Sequence, residues 1–359
     1  KINLAIIGGS YDSTIAKTHL RSLLSTRKYE IVCSCPSENK NKNKKNSQFY
    51  LLPENKIYND IQKLIYYEKK KIDLALVLTP PNVRYRIYQQ LAINNIGIIS
   101  EKPFEGNLQK AKKIYKLINN KKIFFTSTYS YLGYPAIMEI KPLLKKIGSI
   151  KNFVLEMPQE ASTLENAKMK LWRTKDKTIP NLHLDLASHL LSLIIYFFNE
   201  LPLKDNSLEK KNLKYVDNAY TWLKFKNFIG QLWFSKNSPG NKNELSIRIF
   251  GSKGSIEWAH KKHEEIILSD NNGNKHYISR RSKNTKYLKN DKYFTYSAGH
   301  PGGFLDSFIN IYEEIYKVYK NKKNKNPSIL MTLKDNLKII LILEKIHRSS
   351  IKESWQNII

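Results

Sequence analysis

The run Ile2-Asn3-Leu4-Ala5-Ile6-Ile7-Gly8-Gly9-Ser10-Tyr11-Asp12-Ser13-Thr14-Ile15-Ala16 sets the architecture of the chain. Residues 2–7 make an apolar run, the pattern of a strand buried on both faces in a parallel sheet. Glycines end it, and apolar residues at helical spacing follow through Leu20, Leu23 and Leu24. Outward from this unit, strand and helix alternate. Tyr29–Cys35 reads as a second strand, and residues 39–48, a Lys/Asn/Ser run without apolar period, as a solvated loop. Ile61, Leu64 and Ile65 fall at helical spacing before a buried strand at Asp73–Leu78. Thr79-Pro80-Pro81-Asn82 stops that strand and leads into a helix carrying Ile87, Leu91 and Ile93. Gly97–Ser100 is the next strand, Asn107 caps a helix reaching Asn119, and Ile123–Ser127 is a further strand. Such alternation is the signature of a doubly wound parallel sheet, here an α/β Rossmann-type domain over residues 1–127.

Strand, glycine turn and helix form the context in which a dinucleotide pyrophosphate sits on a helix N-terminus. Gly8 holds the first position of the G-x-G-x-x-G fingerprint, but Ser10 and Ser13 stand at the second and third. The second position normally needs glycine so that backbone can approach the pyrophosphate. The Ser10 hydroxyl is an alternative donor to phosphate. Tyr29–Cys35 runs into Pro36-Ser37 with no acid for a ribose 2′-OH, while Lys40 and Lys42 follow, a slight lean toward NADP over NAD. Pro80 and Pro81 force an extended turn, suited to a loop lying along a flat cofactor. Ile98-Ile99-Ser100-Glu101-Lys102-Pro103-Phe104 ends an apolar run abruptly in charge and proline, and proline cannot continue a central ladder. It reads as a strand edge delivering Lys102 into the crevice where open α/β sheets bind ligands.

The aromatic turn Thr128-Tyr129-Ser130-Tyr131-Leu132-Gly133-Tyr134-Pro135 marks the crossing into a second domain, residues 128–359. Ile150–Met157 alternates as a strand, and residues 158–180 form an irregular segment containing Trp172 and Arg173, read as a substrate-lining loop. An apolar helix then runs from Asn181 to about Phe198. Asp185 and His189, four apart, share one of its faces, with His183 roughly opposite. A carboxylate and an imidazole on an apolar helix carry a burial penalty unless paired or hydrogen-bonded. They are a satisfied core pair or a site. From Asp217 on, period-2 runs (Ala219–Phe225, Ile229–Phe234, Glu244–Phe250, Ser255–Trp258) predict a large antiparallel sheet with helices on one face. The fold class is thus α/β: a parallel sheet followed by an α+β domain with a mostly antiparallel open sheet.

Sixty-one Lys and Arg against 31 Asp and Glu give a formal net charge of +30. The basic residues are spread through the chain without a recognition motif. A-rich codons specify Lys, Asn and Ile, so base composition accounts for the charge and no specific nucleic-acid partner is expected. The positive field would still attract phosphates. No apolar stretch approaches the ~20 residues of a membrane helix, and no secretory leader is read at the start, so a cytoplasmic protein is expected. Cys33 and Cys35 alternate on one strand without CxxC spacing, and His260, His263 and His276 lack ligand-like grouping and read as surface residues, so no metal is expected.

The N-terminal glycines, Thr79-Pro80-Pro81-Asn82 and Glu101-Lys102-Pro103, together with Asp185-x-x-x-His189, resemble the Gfo/Idh/MocA oxidoreductases, and the likeness covers essentially the whole chain. Ala187 stands where that family commonly has glycine. The resemblance implies NAD or NADP held by Gly8, Gly9, Ser10, Tyr11, Thr79, Pro80, Asn82, Glu101 and Lys102. It implies a sugar, sugar derivative or cyclitol as substrate, with Lys102 and Asp185 holding hydroxyls and His189 as acid/base. Tyr131, Trp172, Arg173 and His300, the last in a family-like His-Pro segment, would line the substrate pocket. A homodimer or homotetramer would form through the flat sheet face. Alternatives on the same fold are an NAD-assisted lyase or glycosidase and a non-catalytic dinucleotide-binding protein.

Overall fold

The computed structural model describes residues 1–163, 176–212, 215–321 and 328–358, and these fall into two compact units. The first comprises Lys1–Gly133 and Phe304–Leu337, the second Tyr134–Gly303 and Lys338–Ile359.

In the first unit, with elements numbered along the chain, the sheet is built from β1 (Ile2–Ile7), β2 (Tyr29–Cys35), β3 (Leu74–Val77), β4 (Gly97–Glu101), β5 (Phe125–Thr128) and β14 (Met331–Thr332). Their order is β14-β5-β4-β3-β1-β2, all parallel except β14. One register row runs Ile6–Leu76–Ile99–Thr126 across the centre. Ile2, Leu4, Leu74, Leu76, Ile98 and Ile99 are fully buried, each contributing about 1.5–3 kcal/mol of apolar burial. The connecting helices are α1 (Thr14–Thr26), α2 (Asn43–Tyr50), α3 (Ile61–Glu68), α4 (Pro81–Ile93) and α5 (Leu108–Asn120). Ser13, Asp60 and Asn107 cap α1, α3 and α5 through their side chains.

Two expectations need revision here. Residues 39–48 are no solvated loop: a 3₁₀ turn at Lys40–Lys42 leads into α2, which buries Asn46 and Tyr50 four residues apart on one face. A contiguous division at 127/128 also differs from the units observed. The chain returns at α8 (Phe304–Lys320), where Asn310 donates to the Gly133 carbonyl (2.9 Å) and Tyr312 meets His19 of α1 (2.6 Å), and β14 then extends the sheet beside β5.

The second unit has a nine-stranded sheet ordered β13-β12-β11-β10-β6-β9-β8-β7-β15. Its strands are β6 (Ile150–Pro158), β7 (Lys204–Asn212), β8 (Tyr215–Lys224), β9 (Ile229–Ser235), β10 (Ser246–Gly251), β11 (Gly254–Ala259), β12 (Glu265–Asp270), β13 (Lys275–Ser279) and β15 (Gln356–Asn357). Only β6 with β9 is parallel. Helices α6 (Pro135–Leu143) and α7 (Ser188–Phe198) belong here, and α9 (Leu333–Lys352) begins in the first unit and ends in this one. The fold class is α/β with a large, mostly antiparallel second sheet. Of the surface histidines expected from sequence, only His276 is exposed, since His260 and His263 pack against Tyr134.

Candidate active site

The ends of three adjacent strands, β1, β3 and β4, carry the residues expected to hold a dinucleotide. Gly8 and Gly9 both have positive φ (79° and 75°), open to glycine at no steric cost. A Cβ on Gly8 would stand 2.7 Å from Thr79 Cγ2, and one on Gly9 would stand 2.6 Å from Leu78 Cδ1. Backbone-only space at the mouth of a helix is the cradle a pyrophosphate requires. Thr79 Oγ1 is buried without a hydrogen-bond partner among the described residues, an orphan hydroxyl beside that cradle. These residues fit a dinucleotide. The Ser10 hydroxyl, expected to donate to phosphate, instead donates to Asn46 Oδ1 (3.1 Å), and a hydroxyl has only one proton to give. Ser13, the nominal third glycine, serves as the N-cap of α1.

Thr79, Glu101 and Pro103 are tied together by Arg84, a buried residue of α4. Its Nε donates to the Thr79 carbonyl (2.7 Å), and one of its terminal nitrogens donates to the carbonyls of Glu101 and Pro103. One turn on, Tyr88 bonds Ser100 Oγ (2.5 Å) and the Phe104 carbonyl (3.1 Å). Proline cannot donate to a ladder, and these side chains fix the strand edge instead. The Glu101 carboxylate faces His19 of α1 (3.4 Å) and accepts from Thr128 (2.6 Å). Burial alone would raise its carboxyl, but His19, Lys102 and Thr128 outweigh that and hold it below the usual range. Lys102 is half-buried. Pro80 and Asn82 are exposed at the start of α4, Tyr11 is half-buried after the glycines, and Tyr131 is buried in the turn following β5.

The second unit carries the other expected residues. Asp185 lies in a π-helical turn, His183–Ala187, that precedes α7. The expected regular helix is therefore widened where Asp185 sits, a feature frequent at functional sites. His189 is buried one turn on. Asp185 Oδ2 accepts from Lys236 Nζ at 2.6 Å, and the Lys236 side chain is only 7% exposed. Buried charges need such partners. His183 is not a mere opposite face: it lies 2.9 Å from Glu209 of β7, which also meets His347 of α9 at 2.9 Å. Burial would raise the Glu209 carboxyl, but the two imidazoles bring it down to about 2. His300 is exposed in a turn closed by its N–H to Ser297 (3.2 Å). Trp172 and Arg173 lie outside the described residues.

Gly8, Thr79, Glu101 and Lys102 are thus gathered in the first unit, Asp185 and His189 in the second. Lys236, Arg84, His19, Asn46 and Tyr50 were not singled out from sequence. Lys236 follows a period-2 strand as Lys102 follows its apolar one, which was a usable signal. No group of three or more His, Cys, Asp or Glu suited to a metal occurs among the described residues.

A parallel sheet with a built pyrophosphate cradle, joined to a large antiparallel sheet, defines the class of two-domain dinucleotide-binding oxidoreductases. Two family models match: "Oxidoreductase family, NAD-binding Rossmann fold" over residues 2–129, and "Oxidoreductase family, C-terminal alpha/beta domain" over residues 143–357. The chain belongs to the Gfo/Idh/MocA oxidoreductase family. It is 22% identical to levoglucosan dehydrogenase from Pseudarthrobacter phenanthrenivorans over 80% of each chain. Matches to the uncharacterized yeast protein YMR315W (23% identical) and Bacillus subtilis oxidoreductase YfiI (25%) span 59% and 58% of those proteins. Among solved structures, an inositol dehydrogenase homolog from Azotobacter vinelandii, complexed with NADH and myo-inositol, superposes with a TM-score of 0.88 at 18% identity. It is covered to 97%, and this chain to 99%. Levoglucosan dehydrogenase with NADH and levoglucosan gives a TM-score of 0.84 at 19% identity over 99% of both chains.

Proposed function

We propose that the protein is an NAD(P)-dependent dehydrogenase acting on a hydroxyl-bearing carbon of a sugar, sugar derivative or cyclitol. The observation that carries this reading is the turn Asp185–His189, where a carboxylate charge-paired to a buried lysine stands one turn before a buried imidazole. An ionised carboxylate accepts hydrogen bonds only, so it orients substrate hydroxyls. Lys102 donates to a second hydroxyl or to the carbinol oxygen. His189 takes the hydroxyl proton, a task suited to a group whose unperturbed pKa, about 6.5, lies near working pH. A bound nicotinamide supplies the hydride acceptor. Two solved neighbours support this reading: one is complexed with NADH and myo-inositol, another with NADH and levoglucosan.

We also propose that Tyr131, Trp172 and Arg173 contact the substrate, and that the chain self-associates through the sheet of the second unit. On that sheet Leu208, Tyr220 and Ile229 are exposed apolar residues, and Tyr220 stacks on Trp233. The test is His189→Ala. Turnover should fall by about a thousandfold, at the level of losing a general acid/base, while calorimetric cofactor affinity stays at the wild-type value. Turnover within a few-fold of wild type would remove His189 from the chemistry.

A further inference from the structure

The phosphate loop lacks the second glycine of its fingerprint, yet its backbone is closely held. Three consecutive residues are gripped by one face of α2. Tyr50 donates its hydroxyl to the Gly9 carbonyl, Ser10 donates its hydroxyl to Asn46 Oδ1 (3.1 Å), and the Tyr11 N–H donates to the same oxygen (2.9 Å). Asn46 is wholly buried and Tyr50 nearly so. Around this grip, Lys42 pairs with Asp12 (2.8 Å) and the Lys45 ammonium lies 5.4 Å from the Tyr11 ring centroid. These outer contacts are solvent-exposed and add little. The buried pair is different, because an accepting carboxamide fixes both the Ser10 rotamer and the direction of the Tyr11 peptide.

We propose that Asn46, braced by Tyr50, is the cofactor-positioning residue of this chain, supplying through α2 the loop geometry that a second glycine supplies elsewhere. A flexible glycine lets backbone approach the pyrophosphate; here a stiffer loop is pre-set in position before binding. Pre-setting lowers the ordering cost that a ligand otherwise meets. Asn46 acts through Ser10 and Tyr11 and touches no reacting atom. The inference stands on the dinucleotide-binding fold and not on the substrate chemistry, so the two fail separately.

Isothermal titration of NAD and NADP into the full-length chain tests it, with Asn46→Ala and Tyr50→Phe as variants. Two lost hydrogen bonds should weaken cofactor binding about tenfold for N46A, and one lost bond a few-fold for Y50F. The KM for cofactor should rise in step in both variants while the KM for the second substrate holds, which a general loss of structure would not produce. Should N46A fail to fold, Y50F decides, since it removes a single hydroxyl. Wild-type cofactor affinity in the folded variants, or tighter binding, overturns the proposal, as does a fall in saturated turnover without a change in affinity.

Discussion

Lys236 and Asp185 show how a single contact fixes a carboxylate. A carboxylate left half-buried without a cation would carry a desolvation cost, whereas one held at 2.6 Å by a buried ammonium is oriented and charged. In the proposed reaction Lys236 is a positioning residue, acting on substrate through Asp185. Lys236→Met should lower kcat/KM about tenfold or more, the scale of a lost charge-assisted hydrogen bond, and Lys236→Arg should restore part of it. Steady-state kinetics in which K236M matches wild type would detach the pair from the reaction. In the first unit Arg84 likewise holds its neighbours in place. Its guanidinium satisfies three carbonyls of two loops, so the position of Lys102 depends on a side chain eighteen residues before it.

At the scale of elements, the π-helical turn is anchored by Glu209, which draws His183 of that turn and His347 of α9 onto β7. Breaking a buried pair of this kind costs about 3–5 kcal/mol, so Glu209→Gln should lower stability by about that amount in denaturant melts. The pH dependence has a definite sign. The Glu209 carboxyl is depressed from 4.5 to about 2, so its stabilisation is complete above the unfolded value and is lost as pH falls from 4.5 towards 2. The gap in stability between wild type and E209Q should therefore narrow through that acidic window. A gap that widens on acidification would refute the assignment. Elements with a clean period were legible from sequence: β1, β3 and β4 are apolar runs with sharp ends, and Asn107 announced α5. The α2 helix was not, because its Lys/Asn-rich surface carries no apolar stripe and its two anchoring residues are a buried amide and a tyrosine. The π turn was equally invisible, since five residues of apolar helix look the same at either pitch.

At the scale of the whole molecule, the chain is discontinuous in both units, and long-range returns such as α8 and β14 leave no local mark in a sequence. Glu101-Lys102-Pro103 and Asp185-x-x-x-His189 were legible because each interrupts an apolar element with charge. Their partners His19, Arg84 and Lys236 were not, because pairing is settled by tertiary contact. The charge of +30 is dispersed over the chain. Any binding of nucleic acid should fall steeply between low and moderate salt, whereas cofactor affinity should change far less across the same series. Salt-resistant, sequence-selective binding of DNA or RNA would contradict that reading. The central claim is net hydride transfer. Incubating wild-type protein with NAD or NADP and a panel of polyols, anhydrosugars and cyclitols, then quantifying product and reduced cofactor together, measures it directly. One reduced cofactor per oxidised product, abolished by H189A, is the predicted result. Product formed with no net cofactor reduction, or equal yields with H189A, would contradict it.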